Sequence, residues 1–162
     1  MKNTAKKSLA AQIILIAALV SVVLLVLSPL HFIYKPSVGL FAIWGWTGIF
    51  GGSLSVDLSG VTRYIECQFN WVLYVNVLLT LVFGVTTYLI GPKAKGYYIF
   101  AAIFFVVIAI LNFTTAEVWI PSTTTKESLT GFVPYLGVGP WVGGIGAVVS
   151  AISCIVAHSF EK

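Results

Sequence analysis

The chain has 162 residues, of which 59% are hydrophobic and only 9% charged, with a formal net charge of +4. Soluble domains carry about a quarter charged residues, and a chain this short could not hide so much apolar surface in water. The few, scattered basic residues argue against a nucleic-acid surface, so the composition points to an integral membrane protein.

Lys2, Lys6 and Lys7 precede a stretch with no Asp, Glu, Lys or Arg that lasts until Lys35. A helix crossing a hydrocarbon core of about 30 Å needs roughly 20 apolar residues, so this stretch predicts a span over about Leu9 to Pro29. Its apolar run exceeds the roughly 7 to 15 residues of a signal-peptide core and three further spans follow, so an uncleaved signal anchor is expected over a cleaved signal peptide. Continuous apolar runs fit helices and not the alternating strands of a barrel.

The next segment, about Leu30 to Phe69, changes period. Ser53 to Ser59 alternates polar and apolar residues between the turn pairs Gly51-Gly52 and Ser59-Gly60, as a half-buried strand does. After the second pair, Val61, Arg63, Ile65, Cys67 and Phe69 share one face. Before the first pair, Val38, Leu40, Phe41, Ile43, Trp44, Trp46, Ile49 and Phe50 form a strand-prone, aromatic segment. We expect an antiparallel sheet of three or more strands packed on the helix ends, because an isolated hairpin is marginal in water.

A second span follows over about Asn70 to Ile90 and a third over about Tyr97 to Ala116. The loop between them, Gly91 to Gly96, is too short to hold a domain and makes them antiparallel neighbours. The segment from Glu117 to Pro134 reads as a polar loop around Ser122-Thr123-Thr124-Thr125, and the fourth span covers about Tyr135 to Ala157. Pro140 falls in its first turn, where proline is tolerated. In this span Gly139, Gly143, Gly144, Ala147 and Ala151 place small residues at steps of three and four, which lets helix backbones approach in lipid. Such a seam serves either an oligomer contact or packing inside the same bundle. The expected fold class is an all-α membrane protein, a single four-transmembrane-helix bundle with a small antiparallel β-sheet in the first extracellular loop.

Cytoplasmic loops carry the excess of Lys and Arg. With both termini inside, the inner face holds Lys2, Lys6, Lys7, Lys93, Lys95 and Lys162; the outer face holds Lys35, Arg63 and Lys126 against Asp57, Glu66, Glu117 and Glu127. Both termini are therefore expected in the cytoplasm, with the plasma membrane preferred over an organelle membrane. The inner basicity also suits contact with anionic lipid.

The chain resembles the claudin-like tetraspan clan, which includes claudins, peripheral myelin proteins, calcium-channel gamma subunits and amastins. The order of four spans, the strand-rich first loop, the Lys93-Ala94-Lys95 turn and the small-residue last span after Tyr135-Leu136-Gly137 carry the resemblance. Gly39-Leu40-Phe41 looks like the clan's Gly-Leu-Trp element, and Phe41-Ala42-Ile43-Trp44-Gly45 is similar to the amastin loop core. Claudin and amastin loops carry a disulfide-forming pair of cysteines, whereas this loop has Cys67 alone. Cys154 falls near the opposite membrane face, beyond the roughly 7 Å between Cα atoms that a disulfide spans. Cys67 is left either to join two subunits or to pack as a small apolar residue.

Groups for chemistry are scarce. His31 and His158 fall at opposite membrane faces and cannot share a haem or a metal. No span has an ionisable residue near its middle, as a proton or ion carrier would. Gln12, Asn76, Thr80, Thr86, Thr87 and Asn112 suit interhelical hydrogen bonds. The chain lacks a phosphate loop, a zincin motif and a nucleophile elbow, so no cofactor or enzyme activity is expected. Asn112-Phe113-Thr114 matches a glycosylation acceptor but lies too close to the membrane to serve. Trp44, Trp46, Trp71, Trp119 and Trp141 map near the outer interface as an aromatic belt. Trp44 and Trp46, being in the loop, could also mark a partner site together with Phe41, Ile49, Phe50 and Arg63. The expected partners are membrane lipids and either further copies of the chain or other membrane subunits. The expected role is membrane organisation, adhesion or self-assembly through the outer sheet, with an accessory subunit of a channel, transport or respiratory assembly as the alternative.

Overall fold

The computed structural model describes residues 9–35, 39–58, 61–115 and 133–160. Expectations for Lys2, Lys6, Lys7, the Ser59-Gly60 turn, the segment holding Glu117, Trp119, Lys126 and Glu127, and Lys162 lie outside the described residues. Four helices are long and apolar enough to cross a membrane: α1 (Leu9–Leu27), α3 (Trp71–Ile90), α4 (Gly96–Phe113) and α5 (Val138–Phe160). The protein is a four-span integral membrane protein.

Each boundary has a local cause. Pro29 has no N–H with which to continue α1 and disfavours helical backbone at Ser28, whose N–H and hydroxyl both donate to Leu24 O, at 3.0 and 2.5 Å. The Asn70 side chain caps α3 by accepting from the N–H groups of Val72 and Leu73, each at 3.2 Å. On the other side of the bundle, His158 Nδ1 donates to Lys95 O at 3.1 Å and ties the end of α5 to the short α3–α4 loop.

The helices close a ring in which α5 packs along both α1 and α4, while α3 rests on α1 and α4. Away from the sheets, Tyr98, Phe105 and Ile108 of α4 meet Ala147, Ala151 and Cys154 of α5, with Ile14 of α1 and Phe83 of α3. Phe83 stacks on Phe104 with ring centroids 4.2 Å apart, so aromatic rings fill the α3–α4 seam. Thr86 donates to Val82 O at 2.6 Å, and the Tyr97 hydroxyl therefore donates to Thr86 Oγ1 at 2.5 Å across that seam.

Strands occupy the opposite end, which we call the sheet side. In order along the chain they are β1 (Pro29–Lys35), β2 (Gly39–Trp44), β3 (Gly52–Leu58), β4 (Val61–Cys67) and β5 (Val133–Leu136), with a short helix α2 (Gly45–Phe50) between β2 and β3. The alternating run does form an antiparallel hairpin, β3–β4, with Ser53 opposite Glu66 and Val56 opposite Arg63. The rest departs from the single-loop sheet that the sequence suggests. The second sheet has the order β2-β1-β5, so its third strand is supplied just before the last span.

Three segments account for the difference. Residues 29–35 were expected to end a span and open a loop, yet they form the central strand, with Phe32 opposite both Ala42 and Tyr135. Tyr135 and Leu136 pair with β1 before the last helix begins, because Gly137 N–H donates to Leu30 O at 2.9 Å and prolongs the ladder. Residues 45–50 are helical and not extended, since Gly45 and Gly48 leave room for the close approach described below. Ile33 and Ile43 from one sheet meet Cys67 from the other, with Phe41 and Leu54 packed against them, so the two sheets share one apolar core.

Candidate interaction surface

α2 is held at both ends. The Gly45 N–H donates to Ser28 O and the Asn70 N–H to Ile49 O, both at 2.9 Å. A Cβ at Gly45 would collide with the backbone of Leu25 and Val26, so only glycine lets α2 start against the end of α1. The helix stops at Gly51, whose φ of 85° is left-handed and favours glycine, with its N–H bonded to Thr47 O at 3.0 Å.

This frame sorts the aromatic segment. Ile49 is buried in a cluster with Leu25, Leu30, Leu73 and Val77, and supports the surface from beneath. Phe41 is half-buried on the core of the two sheets. Trp44 and Trp46 are exposed, and Phe50 is half-buried between Trp46 and Tyr74 of α3. Ring centroids lie 4.5 Å apart for Trp46–Phe50, 6.0 Å for Phe50–Tyr74 and 5.5 Å for Phe69–Tyr74, which makes one continuous aromatic patch. Arg63 lies in β4, while its side chain is outside the described residues. On the hairpin Ser53, Ser55, Glu66 and Gln68 are exposed and Cys67 is a buried free thiol, whose pKa burial pushes up.

The small residues of α5 face two neighbours. A Cβ on Gly139 would stand 3.0 Å from Leu24 O and Ser28 Oγ, on the α1 side. A Cβ on Gly143 would stand 3.0 Å from Asn112 Oδ1 and one on Gly144 2.5 Å from the Phe113 ring, on the α4 side. Ala147 and Ala151 are buried in the core formed by α4 and α5. Next to Gly143, Asn76 Nδ2 donates to Asn112 Oδ1 at 3.1 Å and Asn112 Nδ2 donates to Ile108 O at 2.9 Å. Asn112, the residue of the glycosylation pattern, is thus buried between helices.

His31 is buried in β1, opposite Ile43 and Leu136, and its Nδ1 has no hydrogen-bond partner. Burial pulls its pKa down to about 4 from 6.5, because the imidazolium would lose its hydration there. Among the described residues no three His, Cys, Asp or Glu side chains form a cluster that could hold a metal. The patch therefore offers apolar and planar contact. Sequence reasoning placed Trp44 and Trp46 but missed that Phe69 and Tyr74 continue their surface. The Trp46 and Phe50 pair, four residues apart, was the available signal for a helical turn. No protein-family model, no curated protein and no solved structure matches the chain.

Proposed function

We propose that the protein is a non-enzymatic tetraspan that organises its membrane, by adhesion or self-assembly, through the sheet-side surface bearing Phe41, Trp44, Trp46, Phe50 and Arg63. The observation that carries this reading is the pair of exposed indoles, Trp44 and Trp46, held on a fixed frame at the junction of β2 and α2. Large exposed aromatics are costly in water unless a partner covers them, and rigid aromatic anchors dominate protein interfaces. The polar hairpin face beside them gives the surround such a contact needs. The resemblance to the claudin-like clan belongs to this proposal and is supported by the four spans and the strands between the first two.

The proposed setting is the plasma membrane, with the sheets outside and both termini cytoplasmic, because Lys93 and Lys95 lie on the side away from the sheets. The partner is a second copy of the chain. Replacing Trp44 and Trp46 together by Ser is expected to remove the cross-linked oligomer in mild detergent while leaving membrane insertion intact. Unchanged migration on native gels would count against the surface. Co-purification of a different membrane protein in fixed ratio would favour the accessory-subunit reading instead. For orientation, Ser55→Cys in a Cys67→Ala background places a thiol on the exposed hairpin face. An impermeant maleimide is expected to label it on intact cells, and labelling only after permeabilisation would reverse the topology.

A further inference from the structure

The aromatic patch runs without a break into the lipid-facing surface of α3. Trp71, Val75, Leu78 and Val82 recur at steps of four, three and four and are all exposed, which makes them one stripe on that span. Such a stripe on a membrane-spanning helix faces acyl chains. At its sheet-side end stands Trp71, 68% exposed, two residues after Phe69 at 53%, and Trp46 of α2 at 58% is joined to Phe69 through Phe50 and Tyr74.

Charge separates this patch from the rest of the headpiece. Residues 36–56 hold no Asp, Glu, Lys or Arg, and neither do residues 67–92, so α2 and the aromatic end of α3 are neutral. The charged groups of the hairpin, Asp57, Arg63 and Glu66, come from β3 and β4. Indole and phenol rings prefer the level where one end is apolar and the other wet, and a short helix lying in that plane buries its apolar face among headgroups.

We infer that α2 is an interfacial helix docked on the phospholipid of the sheet-side leaflet, with Trp46, Phe69 and Trp71 set at the headgroup–acyl boundary. Neutral phospholipid suffices, since none of the rings that form the patch, Trp46, Phe50, Phe69, Trp71 and Tyr74, carries a charge with which to draw anionic headgroups. This refines the surface proposed above by assigning Trp46 and Phe50 to lipid and leaving Trp44 to protein contact. It is compatible with self-association through Trp44 and not with a second copy that covers Trp46.

The test uses full-length protein in phosphatidylcholine vesicles, with Trp46 as the sole tryptophan after Trp44, Trp71, Trp119 and Trp141 are changed to Phe. Bromine placed high on the acyl chains is expected to quench its emission about twofold or more, with weaker quenching from bromine near the bilayer centre. Raising the salt concentration should leave the quenching unchanged. Quenching by aqueous acrylamide with none from brominated lipid would overturn the inference by placing Trp46 in water. Lipid quenching that emerges only when the protein is diluted in lipid would overturn it too, by showing that another copy covers the ring. If the single-tryptophan chain does not fold, the difference between wild type and Trp46→Phe reads the same quantity. Neither result depends on the cross-linking assay, so the lipid inference and the self-assembly proposal can fail separately.

Discussion

The helix bundle and the sheet-side headpiece solve the problem of buried polar groups in different ways. In the bundle, Asn76 and Asn112 bond to each other, and Ser21 and Ser150 return their hydroxyls to Ala17 O and Gly146 O one turn back. These groups stay neutral at any physiological pH, and the small residues of α5 leave the space in which they meet. In the headpiece, the core is branched and aromatic, and His31, a polar ring buried there, can take up a proton. Asn76 Oδ1 and Thr87 Oγ1 of α3 are nevertheless buried without a partner; an unpaired charge would cost far more in lipid than these neutral atoms do, so the spans confine themselves to uncharged donors and acceptors. The headpiece is under no such rule, so it is the half of the molecule that should respond to acid.

The largest effect expected from this contrast is acid loosening of the headpiece. The folded state holds His31 neutral down to about pH 4, while the unfolded chain protonates it near 6.5. The stabilisation from the neutral ring is thus complete above pH 6.5 and is lost as pH falls from 6.5 towards 4, by up to about 3 kcal/mol. β2, β5, α1, α2 and α3 contain no Asp, Glu, Lys or Arg, and α5 contains none either, so these elements offer no carboxylate to the imidazolium. Reaction of the buried Cys67 thiol with a small maleimide should accelerate as pH falls, once corrected for the intrinsic pH dependence of the reagent. A His31→Phe variant whose labelling kept the same acid dependence would sink this account.

A bulky residue in the α5 seam should act on the other half. Gly143→Leu is expected to lower thermal stability in detergent by about 2 kcal/mol, because Asn112 is held by two hydrogen bonds and cannot step aside. Gly144→Leu should cost less, since the atom in its way is the end of the Phe113 side chain, which can turn. Equal losses, or none, would show that the seam is looser than these distances imply. Neither variant should change the acid dependence of Cys67 labelling.

The smallest effect lies at the asparagine pair. Asn112→Leu alone should cost about 1 kcal/mol, and the double change with Asn76→Leu should cost less than the two single changes added together. Strict additivity in thermal midpoints would mean that the 3.1 Å bond contributes nothing to the bundle.

Much of the bundle was legible because a span of about 20 uncharged residues has only one way to satisfy its backbone in lipid. The β3–β4 hairpin was legible too, through its alternating residues and glycine turns. β1, α2 and β5 were not. Pro29 to Lys35 continues the apolar run of α1 without a visible break except the proline, and Val133 to Leu136 merges with the run of α5. Apolar residues at a span end are compatible with helix, strand or loop, and a hydrogen-bond partner distant in sequence decides among them. For the surface, the exposed Trp44 and Trp46 could be named from their position in a loop, whereas the burial of Ile49 depended on its neighbours Leu25 and Leu73.

The amino-acid sequence by itself determined that this chain crosses a membrane four times and that its polar periodicity is concentrated between the first two spans. Those properties follow from local composition, because hydrocarbon tests each segment separately. Tertiary structure alone decided that β1 is shared between β2 and β5, that α5 turns its glycines to α1 on one side and α4 on the other, and that α2 carries the aromatic patch down to α3. Each of these depends on groups far apart in the chain finding a partner at hydrogen-bond or van der Waals distance, and no single segment encodes such a meeting.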